Sequence, residues 1–248
     1  MKKSFVNIFV TICIILVLGI LSSCNDMTQM TGTTGDGADN YDTRPIVCFG
    51  NSLTYGYGAS SGNTYPYYLQ EKIKVQVINA GVNGDTTEKG LERLNKDVLE
   101  KNPQLVIIEF GGNDLFNDIT VTELKNNLEE MIEIIDNGKR KIYVSDWIPD
   151  SAVNDVSLIL VNSLRVYNGF SSLTLKELND FVSGYRTVLV SLSTKVNVEI
   201  VEDIYAGIYG DASLMSDPLH PNSLGYKIMA DNYFAAIEPY LLANNLLK

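Results

Sequence analysis

The chain has 248 residues, 45% of them hydrophobic, which suits one domain with a sizeable buried core and falls short of two comfortable ones. Acidic residues outnumber basic ones by 30 to 19, for a formal charge of -11. That balance leaves no cationic surface for a nucleic-acid backbone, so a partner of that kind is excluded.

Residues 1–23 read as a targeting segment, with Lys2 and Lys3 at its positive end and a nearly continuous apolar run from 5 to 21. The run ends in Leu21-Ser22-Ser23-Cys24, which resembles a bacterial lipobox. The resemblance implies that Cys24 becomes the lipidated first residue of the mature chain, held to a membrane on the exported face. An uncleaved membrane helix competes, although the run is short for a span of roughly 20 residues. A plain secretory signal is the third possibility. Of the 3 cysteines, Cys13 leaves with such a signal, Cys24 takes lipid and Cys48 sits in an apolar stretch, so no disulfide framework remains. Residues 24–43 are rich in Thr, Gly, Asp and Asn, cannot pack a core, and are expected to form a flexible tether. The folded domain is expected to cover residues 44–248.

Within it, apolar runs predict strands at 45–49, 75–79, 104–110, 141–145 and 198–201, with helix-period stretches between them. A helix over 86–99 follows Asp85 as its predicted cap, with Glu88 three residues on; others are predicted over 122–135 and 222–242. Thr174 and Glu177 form a capping-box pattern, and Leu178, Phe181, Val182, Tyr185, Val188, Leu189 and Leu192 mark one buried face beyond it. Strands alternating with helices imply an α/β fold whose parallel sheet is covered on both sides.

In such a sheet, reactive groups gather in the loops at the carboxyl ends of the strands. The first predicted strand ends in Phe49-Gly50-Asn51-Ser52-Leu53-Thr54, which puts a serine on a glycine-assisted turn at a helix start. Ser52 is then either an exposed nucleophile or an ordinary capping residue. The second and third strands lead into Asn79-Ala80-Gly81-Val82-Asn83-Gly84-Asp85 and Glu109-Phe110-Gly111-Gly112-Asn113-Asp114. Their glycines and amides suit either oxyanion binding or plain turn chemistry. Near the C-terminus stands Ser216-Asp217-Pro218-Leu219-His220, and His220 is the single histidine of the chain. If a serine is activated by histidine here, His220 must be the base, and Asp217 can reach it to fix its tautomer. A satisfied surface histidine is the alternative.

Together these four segments, in this order, resemble the four sequence blocks of the GDSL or SGNH hydrolase family, particularly its bacterial arylesterase, thioesterase and lysophospholipase branch. The resemblance implies a flavodoxin-like, three-layer α/β/α sandwich around a central parallel sheet of about five strands. It implies a carboxylic ester hydrolase with Ser52 as nucleophile, His220 and Asp217 completing a triad, and Ser52, Gly81 and Asn113 as oxyanion donors. No cofactor is implied. A metal is disfavoured because one histidine and an acid are not a usual ligand set, and Gly56 and Gly58 only begin a dinucleotide-type glycine pattern.

This chain departs from the family where Asn51 replaces an aspartate. Asparagine keeps the size and one acceptor, so the turn is expected to survive. The segment 151–172 is longer than in compact members; its apolar Val156, Leu158, Ile159, Leu160 and Val161 favour a packed element over a substrate-covering lid. The expected substrate is a small-molecule or lipid ester, with carbohydrate or peptidoglycan O-deacetylation as the enzymatic alternative. An inactive, ligand-binding surface lipoprotein is the alternative outside enzymes.

Overall fold

The computed structural model describes residues 41–148 and 155–248. The signal segment 1–23, Cys24 and the tether to residue 40 lie outside the described residues, as do positions 151–154 of the long segment.

Five strands form one sheet: β1 Ile46–Gly50, β2 Val77–Gly81, β3 Leu105–Glu109, β4 Lys141–Ser145 and β5 Val198–Val201. They are parallel throughout, in the order β2-β1-β3-β4-β5, which is the flavodoxin-like arrangement. Successive side chains of a strand point to opposite faces, so the continuous apolar runs feed two cores at once. Val47, Phe49, Val106, Ile108, Ile142 and Val144 face one core. Ile46, Cys48, Leu105, Ile107 and Tyr143 face the other.

The first core is closed by three helices, α3 Thr87–Asp97, α5 Val121–Ile135 and α7 Leu175–Leu192. Every residue predicted for the inner face of α7 is buried, and the Thr174–Glu177 capping box is formed. The second core is closed by α2 Tyr65–Lys72 and the terminal α8 Ser223–Ala243, whose cap is Asn222. Two short helices follow strand ends, α1 Ser52–Tyr55 after β1 and α4 Gly112–Phe116 after β3.

Some boundaries differ from the sequence expectation. Strand β2 lies two residues later than 75–79, because Gln70 of α2 governs its entry: Nε2 donates to Ile73 O and Val75 O, and Oε1 accepts from Val77 N. Thr86, not Asp85, caps α3 by accepting from Lys89 N, while the Asp85 carboxylate is taken by Arg93 at 2.6 Å. The fold also reaches back before residue 44: Gln104 Nε2 donates to Asp42 O at 2.8 Å, and Tyr41 packs against the second core.

The described part of the long segment is a packed helix, α6 Asp155–Tyr167. Its Arg165 is buried, donates to Leu115 O at 2.6 Å and Ser171 O at 2.9 Å, and pairs with Asp118. These bonds dock α6 onto the corner made by α4.

Candidate active site

Strands β1 and β3 end level, with Gly50 paired to Glu109, at the point where the strand order reverses. Loops diverge there and leave a crevice. Ser52 begins α1 immediately after β1, and Asn51 caps that helix by accepting from Leu53 N at 3.1 Å. First-turn amides have no carbonyl behind them, so Ser52 brings both a hydroxyl and a free N–H to the crevice.

The opposite side is the loop before α8. There His220 Nε2 lies 3.0 Å from Ser52 Oγ, and His220 Nδ1 lies 2.8 Å from Asp217 Oδ2. Asp217 Oδ1 also accepts from Leu219 N at 2.7 Å and His220 N at 2.8 Å. Half-burial works against the ionised Asp217, but the His220 ring and these N–H groups outweigh it and hold the carboxyl below its ordinary range. An ionised carboxylate can only accept, so Nδ1 donates and Nε2 is left to take the serine proton. The Tyr57 ring packs 4.7 Å from the imidazole. Between the two loops, Gly58 has φ +88°, and a Cβ there would stand 2.0 Å from Ser216 Oγ and 2.9 Å from Pro221 O. Only glycine permits this close approach.

A cleft of about 390 Å³ contains Ser52, His220, Asn113, Asn83, Gly84 and Glu109 in its walls. The structure thus brings four of the five sequence-predicted site residues together: Ser52, Asp217, His220 and Asn113. Gly81 is the exception and is corrected here. As the last residue of β2 it is turned into the fold: its N–H donates to Asn79 Oδ1 at 2.9 Å, and a Cβ would meet Tyr55 N at 2.1 Å. Three residues on, Gly84 has φ +83°, open space where a Cβ would be, and a place in the cleft wall. It is the glycine of this loop whose backbone faces the site.

Asn113 is fixed by bonds on both sides. Its Nδ2 donates one proton to Asp85 O at 2.9 Å, which leaves the second N–H for the cleft. Its neighbour Asp114 is buried and accepts from Thr87 N at 3.1 Å and from Thr87 Oγ1. Burial pushes the Asp114 carboxyl up to about 6, against the pull of those bonds.

Two further residues, invisible as motifs, set the backbone under the site. Arg93 donates to Gly50 O and Ala80 O, both at 2.8 Å, pairs with Asp85 and Asp97, and lies 4.5 Å over the Phe49 ring. It ties the ends of β1 and β2 together. Glu109, at 1% exposure, lies behind the serine turn with Oε2 3.2 Å from Thr54 Oγ1 and 3.4 Å from Asn51 N. Its Oε1 has no hydrogen-bond partner among the described residues, and burial pushes the carboxyl up to about 8. The residue stands beside the cleft as an uncharged acid at neutral pH. Among the described residues no group of three or more His, Cys, Asp and Glu could hold a metal ion.

Comparison with known proteins points the same way as this geometry. The model of the GDSL-like lipase/acylhydrolase family matches residues 48–228. Esterase TesA of Pseudomonas aeruginosa is 31% identical over 228 residues, covering 90% of this chain and 98% of that protein. Thioesterase 1/protease 1/lysophospholipase L1 of Escherichia coli is 31% identical over 90 residues, a match that spans 36% of this chain and only 43% of that protein. Among solved structures, the lipase/acylhydrolase from Enterococcus faecalis gives a TM-score of 0.59 at 28% identity, covering 83% of this chain and 97% of that one.

Proposed function

The chain belongs to the GDSL-like lipase/acylhydrolase family, and from that premise we propose that it is a serine esterase that hydrolyses carboxylic esters through Ser52, His220 and Asp217. The observation that carries the proposal is the continuous line of contacts from Ser52 Oγ through both ring nitrogens of His220 to Asp217, at 3.0 and 2.8 Å.

In this reading Ser52 Oγ attacks the ester carbonyl while His220 Nε2 takes its proton, and Asp217 stabilises the imidazolium that results. The negative oxygen of the tetrahedral intermediate is met by the Ser52 N–H, the second Asn113 amide proton and the Gly84 N–H, which is not spent on the chain's own carbonyls. Each such donor contributes about 3 kcal/mol to the transition state. His220 then returns its proton to the leaving alcohol, breaking the ester C–O bond. Water, activated by the same imidazole, releases the acyl group from Ser52.

Removing the Ser52 hydroxyl tests the reading: Ser52→Ala should abolish turnover of a p-nitrophenyl ester and labelling by a fluorophosphonate probe. A folded Ser52→Ala protein that retains wild-type turnover would end it.

The proposal extends to location. Residues 1–23 act as a lipoprotein signal, Cys24 carries the lipid, and residues up to about 43 tether the hydrolase domain to the membrane on its exported face. Support comes from the Leu21-Ser22-Ser23-Cys24 sequence behind an apolar run. No helix among the described residues is long and apolar enough to cross a membrane. Cys24→Ser should remove incorporation of a fatty-acid label and release the protein from membranes; retained label in that variant would refute the anchor.

A further inference from the structure

Beside the cleft lies a second cavity, of about 90 Å³, with no charged side chain in its wall. Its inner wall includes Leu160 and Val161 of α6 and Leu178 and Val182 of α7. Its outer wall includes Phe116, Trp147, Tyr205 and Leu219, and these four residues also line the cleft that contains Ser52. The two spaces therefore share a boundary next to the site, with Leu219 adjacent in sequence to His220. That boundary is held in place: the Tyr205 hydroxyl donates to the Leu219 carbonyl, so its polar end is satisfied and its ring is left to the cavity.

The two spaces differ sharply in chemistry. The cleft presents Asn83, Lys89, Asn113, Asn117 and Asn168. The cavity offers hydrocarbon almost throughout, with Ser157 as its one non-aromatic polar side chain. Water gains little in such a space, whereas alkyl carbons gain both dispersion contacts and release from water. An acetyl group attached at Ser52 has no atoms with which to reach it.

We propose that this cavity is the acyl-chain site of the enzyme, and that helix α6, the long segment of the chain, serves as its wall, committing the esterase to fatty acyl esters rather than acetyl esters. The inference rests on the esterase reading above. It also gives the extra segment a role: the same Arg165 bonds that dock α6 on α4 hold Leu160 and Val161 against the space. Transfer of one methylene from water to an apolar site changes kcat/KM by about fourfold, so a few methylenes in the cavity should dominate substrate choice.

The experiment compares p-nitrophenyl acetate with p-nitrophenyl octanoate on the wild-type chain, on Leu160→Trp, which fills the space, and on Leu160→Ala, which enlarges it. Wild type should prefer octanoate in kcat/KM by at least about tenfold. Leu160→Trp should lower the octanoate-to-acetate ratio by about tenfold or more, and Leu160→Ala should move the preferred chain length upward. Thermal melting establishes that each variant is folded; if the tryptophan variant is not, the alanine variant decides. A wild-type preference for acetate, or a ratio unmoved by either folded variant, overturns the acyl site while leaving the esterase reading intact. Absence of turnover on both esters, with no fluorophosphonate adduct at Ser52, overturns the esterase reading instead.

Discussion

Ser52 and His220 meet at 3.0 Å, yet the backbone beneath each is held in a different way. The serine side grows out of the centre of the sheet: Asn51, Ser52 and Glu109 are all buried, and Arg93 bonds the ends of two strands below them. The histidine side is a half-exposed loop that organises itself. Asp217 accepts two N–H groups of its own loop, Ser216 N donates to His220 O at 2.8 Å, and Asn222 Nδ2 donates to Ser213 O at 2.7 Å. Backbone amides that receive a developing charge must be rigid, so placing them on the core is effective; an imidazole that shuttles protons needs only its ring oriented. The consequence is that substitutions on the serine side should cost stability and activity together, and those on the histidine side activity alone.

The largest expected effect tests the histidine side. Asp217→Asn keeps an acceptor for the loop N–H groups but no longer fixes the tautomer or stabilises the imidazolium. On p-nitrophenyl ester the variant should lose about 10⁴-fold in kcat, with a melting temperature close to wild type. A fall in stability as large as that in rate would show that this loop is not self-supporting. On the serine side, Arg93→Met removes the bonds to Gly50 and Ala80 and leaves Asp85, whose side chain is 10% exposed, without its cation. Breaking so buried a pair costs about 3–5 kcal/mol, measurable by urea unfolding; an unchanged midpoint would erase the contrast between the two sides. Asn113→Ala sharpens it at a single donor, with an expected loss of about a hundredfold in kcat and little change in KM. A loss confined to KM would make Asn113 a substrate-binding group.

What the sequence disclosed about these sides follows the range of the interactions. Strands β4 and β5 were legible to the residue, because a run buried on both faces and bounded by turn residues has one reading. The capping box at Thr174 is equally local. Strand β2 was displaced because its start is set by Gln70, which belongs to a different element and has no pattern of its own. Helix α2 escaped notice since its eight residues bury only Tyr65, Pro66 and Leu69. At the site, Ser52, Asp217 and His220 could be found because a lone histidine restricts the choice. Gly81 and Gly84 could not be told apart, for both lie in one turn and only the register of β2 against β1 decides which faces the cleft. Arg93 and Glu109 act across loops far apart in sequence, so nothing adjacent to either announces it.

Glu109 offers the smallest and most specific test of the serine side. Its carboxyl, pushed up to about 8 from an ordinary 4.5, keeps a proton in the folded chain that the unfolded chain releases at lower pH. Unfolding free energy should therefore decline as pH rises from about 4.5 to about 8, where the native group finally ionises, and then level off with respect to this group. The groups that sense its charge are the buried hydroxyls of Tyr65, Tyr185, Tyr205, Tyr226 and Tyr233, none of which can neutralise it. Glu109→Gln has nearly the same shape and never ionises, so its stability should fall less across that interval, with kcat at pH 7 within a few fold of wild type. Asn51 belongs to the same argument, because its amide assists the Glu109 carboxylate whereas an aspartate there would oppose it. Asn51→Asp should accordingly carry the decline to higher pH, and Asn51→Asp with Glu109→Gln should remove that extension. Parallel stability curves for wild type and Glu109→Gln would mean that water reaches the carboxyl, and the rigid, dry support assigned to Ser52 would have to be abandoned.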